Sequence, residues 1–125
     1  MRRTEGFTLV ELMIVVSIAA ILLGLAISSY SDSLMRGRRA DAQSIMIEFA
    51  GEAARTLTET SSYASLALPD NTDYYTLSFP SDPTATGYTL LATPKSAQLK
   101  DKCGSMALTS TGKKTSTGAG PSCWK

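Results

Sequence analysis

The sequence predicts an α+β fold: one long N-terminal helix, apolar in its first half and amphipathic in its second, packed on a small antiparallel sheet that ends in a cysteine-bounded loop. Three observations carry this. An apolar run from Phe7 to Ile27 contains a single charge, Glu11; apolar residues then recur at helical spacing as far as Leu57; beyond Asp73 the period changes to two. At 125 residues the chain makes one domain plus a membrane segment, because about 95 residues outside the run and its short leader suffice for one modest core.

The run from Phe7 to Ile27 forms a helix of roughly 30 Å, the thickness of a bilayer's hydrocarbon. Arg2 and Arg3 precede it and the rest of the chain follows, so the positive-inside tendency leaves the N-terminus in the cytoplasm and sends the remainder across. The run is too long for a secretory h-region, and Ala26-Ile27-Ser28-Ser29-Tyr30 is a weak match to a signal-peptidase site. Glu11 is the anomaly. An ionised carboxylate near the start of a lipid-facing helix costs about 1 to 3 kcal/mol and usually marks a functional partner.

Gly6-Phe7-Thr8-Leu9-Val10-Glu11-Leu12, behind a basic leader and ahead of an apolar run, resembles the class III signal of type IV pilins. The resemblance implies cleavage between Gly6 and Phe7 by a prepilin peptidase, which also methylates the new amine of Phe7. It implies that Glu11 pairs with the Phe7 amine of a neighbouring subunit, consistent with the need of a buried charge for a partner. The alternative for Glu11 is a solvated interfacial acid. The Lys-Asp-Lys-Cys-Gly and Cys-Trp segments of the C-terminal region are similar to those of small PilE-like minor pilins. The domains expected are a leader over residues 1–6, a transmembrane and filament-core helix half over 7–29, and a globular head over 30–125. The head divides into helix 30–58, an αβ loop 59–73, and the sheet with its disulfide-bounded region 74–125.

After the span, Leu34, Ala42, Ile45, Met46, Phe49, Ala53 and Leu57 form the apolar stripe, with Ser44, Glu48, Glu52, Arg55 and Glu59 on another face. Relatives of the family often carry proline where this chain has Ser28; here Gly24 is the local helix weakener, by about 1 kcal/mol relative to alanine. Arg36, Arg38 and Arg39 read as a solvated face just beyond the bilayer, with Asp32 and Asp41 close enough to pair. Their functional reading is a basic collar that meets phospholipid headgroups or a neighbouring subunit.

Turn formers fill Thr60 to Asp73. Asp70, Asn71, Asp73 and Asp82 lack the spacing of a calcium loop and read as turn caps. Tyr75, Leu77 and Phe79, then Tyr88, Leu90 and Ala92, then Met106 and Leu108 alternate as three antiparallel strands, with a short fourth expected near Ser122 to Trp124. The inner face is expected to pack on Ile45, Phe49, Ala53 and Leu57.

Cys103 and Cys123 lie on the translocated side, where one bridge is expected, worth about 3 kcal/mol in the chain-entropy model. The resemblance equates the region they bound with the exposed D-region of type IV pilins. Lys95, Lys100, Lys102, Lys113, Lys114 and Lys125 face one acid, Asp101, over the last third of the chain. Such an excess suits the phosphates of DNA; it equally suits a loop that needs soluble residues. There is no histidine and no legible nucleophile-base pair, which argues against an enzyme, and no metal cluster or cofactor site is expected.

The leading expectation is therefore a minor structural subunit of a type IV pilus, serving twitching motility, adhesion or DNA uptake. It would be held by the inner membrane with its head in the periplasm, then moved by the assembly machinery into a surface filament beside other pilins. A type II secretion pseudopilin and a DNA-binding minor pilin for natural transformation are the alternatives.

Overall fold

The computed structural model describes residues 5–118 and 121–124. A helix, α1, spans Leu9–Thr60, and four strands follow: β1 Tyr75–Ser78, β2 Thr89–Pro94, β3 Met106–Thr109 and β4 Lys114–Ser116. Short 3₁₀ turns occupy Ser96–Lys100 and Pro121–Cys123. The chain divides into two units, the first ending at Leu34 and the second beginning at Met35.

In the first unit, α1 has no inner face. Every large apolar side chain from Phe7 to Ile27 is more than half exposed, and this is the one helix among the described residues long and apolar enough to cross a membrane. Even its serines are adapted to an apolar setting: the Ser17 and Ser28 hydroxyls donate to the carbonyls of Met13 and Leu25, 2.7 and 3.0 Å away.

In the second unit, α1 buries Arg39, Ala42, Gln43, Met46, Phe49 and Ala53, at the three- and four-residue spacing of one helix face. Against it lie Tyr75, Leu77, Tyr88, Leu90, Ala92, Met106 and Leu108, the inward residues of the predicted strands. Phe49 is the hub, with ring centroids 5.3 Å from Tyr88 and 5.8 Å from Phe79. Met46, fully buried, takes the central place that the sequence reading divided between Ile45 and Leu57, both of which are only half-buried.

The sheet runs β1-β2-β3-β4, antiparallel throughout. The fourth strand corrects an expectation. It lies at Lys114–Ser116, paired with β3, while the segment around Ser122 is a 3₁₀ turn. Gly112, at φ 80, allows the tight reversal after Thr109 that makes a hairpin. Pro121 has no N–H to give a ladder, which disfavours a strand where one was expected.

Candidate functional site

Glu11 is built into the start of α1 by a reciprocal cap. Thr8 is the N-cap: its Oγ1 accepts from the Glu11 N–H at 3.2 Å, and Glu11 Oε2 accepts from the Thr8 N–H at 3.1 Å. The Thr8 hydroxyl also lies 3.2 Å from Oε2. The residue spacing that forms the signal is thus also a capping box. Gly6 and Phe7 lie exposed immediately before this cap.

Cys103 and Cys123 are bridged, with Cα atoms 5.7 Å apart. The loop they close is pinned further: the Gly118 N–H donates to the Cys103 carbonyl at 3.0 Å, and the Ser105 N–H to Thr117 Oγ1 at 2.9 Å. Gly118 passes so close that a Cβ there would collide with the Lys102 carbonyl and the Cys103 Cα.

The five lysines singled out for DNA do not form one stripe. Strand register pairs Tyr75 with Pro94 and Ala92 with Met106, so Lys95, Lys100 and Lys102 belong to the connection at one end of the sheet. Thr89 pairs with Thr109 and Leu108 with Lys114, which puts the turn carrying Lys113 at the other end, with Lys114 beside it. Lys114 Nζ sits 5.6 Å from the ring centroid of Trp124, whose indole N–H donates to the Thr115 carbonyl at 2.8 Å. Near this second end, Ser81, Asp82, Thr84, Gly87, Tyr88, Thr89, Thr109 and Ser110 line a polar recess of about 320 Å³. Asp82 is its only charged lining residue, so the recess is no anion site.

The arginine segment differs from the sequence expectation. Arg39 is buried, and its guanidinium grips Asp101 in a two-pronged bridge, Nε to Oδ2 at 2.9 Å and Nη2 to Oδ1 at 2.5 Å. Asp101 also accepts from the Tyr75 hydroxyl at 3.3 Å and the Cys103 N–H at 3.2 Å. The Gln98 amide joins Tyr75 Oη, Asp101 Oδ2 and the Met35 carbonyl, at 3.0, 3.0 and 2.9 Å, leaving its own Oε1 buried without a partner among the described residues. Arg38 stacks on the Tyr74 ring, 3.8 Å from its centroid.

Burial pushes the Asp101 carboxyl up, but the Arg39 hydrogen bond, the Cys103 N–H, the Arg39 charge and Gln98 outweigh it and hold it below the ordinary value. The hydrogen bond to Asp101 raises Arg39 in turn, against desolvation. Burial is also the main reason that the Tyr75 hydroxyl is raised. Arg39 was legible in principle: with Ala42, Met46 and Phe49 it completes the buried stripe, and an arginine on such a stripe calls for an acid. Asp101, the lone acid among the C-terminal lysines, is that acid, and it spends its charge inside the head.

The family model for the type IV minor pilin ComP, DNA uptake sequence receptor, matches residues 28–107. The prokaryotic N-terminal methylation motif matches residues 1–27. Among solved structures, a type IV pilin from Shewanella oneidensis is 31% identical over 73% of this chain and 98% of its own, with a TM-score of 0.61. The non-core minor pilin PilV of Neisseria meningitidis shares the fold at 16% identity, over 74% of this chain and 95% of its own, also with a TM-score of 0.61. No curated protein matches.

Proposed function

The chain belongs to the type IV minor pilin family of ComP, the DNA uptake sequence receptor, and from that premise we propose how its parts serve a pilus. A prepilin peptidase of the inner membrane cuts between Gly6 and Phe7 and methylates the Phe7 amine. The apolar half of α1 then holds the subunit in that membrane, N-terminus inward and head in the periplasm, until the assembly machinery transfers it to a filament. There the burial of neighbouring apolar helices replaces lipid, and Glu11 takes the methylated Phe7 amine of an adjacent subunit as its partner. The observation that carries this reading is the methylation motif, matched over residues 1–27, on a helix whose large apolar side chains from Phe7 to Ile27 have no cover among the described residues.

The test is quantitative mass spectrometry of sheared surface filaments. A peptide beginning with N-methylated Phe7, present well below the dominant pilin, supports the reading; confinement of the protein to the membrane while pili form normally favours the pseudopilin alternative.

The family match also favours a role in DNA uptake, and the surface best suited to it is the β3–β4 hairpin, where Lys113 and Lys114 are exposed and Trp124 offers a ring for stacking. Lys95, Lys100 and Lys102, at the other end of the sheet, are left for another partner. Gel shifts with a fragment lacking residues 1–34 test this. Lys113→Glu/Lys114→Glu is expected to abolish the shift at low salt, and an unchanged shift would move DNA contact elsewhere.

A further inference from the structure

The connection between β2 and β3 shows a third kind of surface. Its 3₁₀ turn, Ser96–Lys100, is anchored inward by Gln98, which is fully buried and reaches the Met35 carbonyl. The next residue, Leu99, points the other way and is 67% exposed, the most exposed large apolar side chain of the second unit. Exposed Lys100 and Lys102 follow it, and the acid between them, Asp101, is turned inward onto Arg39. Ser96 is held at φ 55, in the left-handed region that non-glycine residues seldom adopt, so the turn that presents Leu99 is specifically shaped. Lys95, by contrast, is half-buried, its N–H donating to the Tyr74 carbonyl at 2.9 Å. The surface therefore rests on Leu99, Lys100 and Lys102.

An apolar side chain beside two cations whose intervening acid is neutralised has the chemistry of an interfacial anchor. Its place fits. Gln98 fixes the turn to Met35, the residue at which the chain enters the head, and the apolar run ends at Ile27. Only the seven residues 28–34 lie between them in the chain. We propose that Leu99, Lys100 and Lys102 form a docking surface for anionic phospholipid headgroups, which seats the head on the outer leaflet of the inner membrane before assembly. The inference rests on the membrane-anchored stage proposed above. Leaving the membrane would then mean releasing this contact as well as the span.

The test uses the full-length processed chain in lipid nanodiscs and follows amide hydrogen exchange of the segment 96–102. Co-elution of the protein with the discs establishes the anchor by itself, so failure of the anchor and failure of the docking surface are told apart. Discs of phosphatidylethanolamine containing about a quarter phosphatidylglycerol are expected to slow exchange of this segment several-fold relative to wholly zwitterionic discs, with no change over 110–118. Each lysine contributes roughly a fivefold factor in affinity, so Lys100→Glu/Lys102→Glu removes the difference, as does about 0.5 M salt. Leu99→Ser, which spares the charges and the buried network, is expected to weaken it. Equal exchange in both kinds of disc overturns the proposal. Protection by duplex DNA in zwitterionic discs, without protection by phosphatidylglycerol, overturns it also and gives the surface to nucleic acid.

Discussion

Glu11 and Arg39 stand on the same helix, each among apolar residues, and each needs a partner. Arg39 finds its own within the chain: Asp101, supported by Tyr75, Gln98 and the Cys103 N–H. Among the described residues Glu11 finds only the Thr8 cap, surrounded by apolar side chains that none of those residues covers. The second unit therefore pairs its buried charge internally, whereas the first is unfinished and needs lipid or other subunits to complete it. Helical periodicity cannot express this difference; the presence or absence of a facing sheet does.

The largest effect is expected from opening the closed side. Asp101→Ala in a fragment lacking residues 1–34 leaves Arg39 buried and unpaired and is expected to destabilise the head by about 3 to 5 kcal/mol in urea unfolding. The double variant Arg39→Met/Asp101→Leu is expected to recover most of that; a loss below about 1 kcal/mol for the single variant would show that the bridge does not close the head. The pH dependence has a defined sign. The folded carboxyl lies below its ordinary value of 3.8, so its contribution is complete above that value and is lost as pH falls through the lower folded value. Unfolding curves of Asp101→Asn are expected to be flatter over that acid range.

Next in size is the bridge. Cys103→Ser/Cys123→Ser is expected to cost the head about 3 kcal/mol while leaving insertion of the first unit into membranes unchanged, measured by urea unfolding and membrane fractionation. A smaller, more selective effect comes from the unfinished side. Glu11→Ala removes the side-chain half of the capping box together with the charge, and its incorporation into sheared filaments is expected to fall about tenfold, equivalent to about 1.4 kcal/mol. Glu11→Gln keeps a capping side chain and removes only the charge. If it assembles as wild type does, the cap is what matters and the proposed amine pairing is lost. The smallest effect is expected at Arg55 and Glu59, an exposed pair 3.0 Å apart on the helix surface, where Glu59→Ala should change head stability by less than about 0.5 kcal/mol.

Much of this architecture could be read from residue order. The period-two runs beginning at Tyr75, Tyr88 and Met106 are strands because their inward side chains meet Met46 and Phe49, and the bridge forms between the two cysteines present. The fourth strand was misplaced because Lys114-Thr115-Ser116 has no apolar alternation; a polar hairpin is held by its turn and its register, not by burial. Of the arginine cluster, Arg36 is exposed as expected, but Arg39 is not, because charge predicts solvent unless a distant acid intervenes, and Asp101 lies 62 residues from Arg39. The grouping of the lysines was likewise hidden, since residues near in sequence are carried to opposite ends of a sheet by one strand. At the signal, Thr8 and Glu11 were legible as a motif, but their role as a cap requires the backbone.

The hairpin that ends the sheet also defines where the molecule could accept foreign sequence. Its base is fixed by the Cys103 bridge, by the Ser105 to Thr117 hydrogen bond and by a passage at Gly118 too narrow for any side chain. At its tip, Gly112 has open space around it. A peptide epitope inserted there would be displayed on a clamped stem, so that recognition at the tip could be re-engineered while the helix, the buried network and the assembly signal are left untouched.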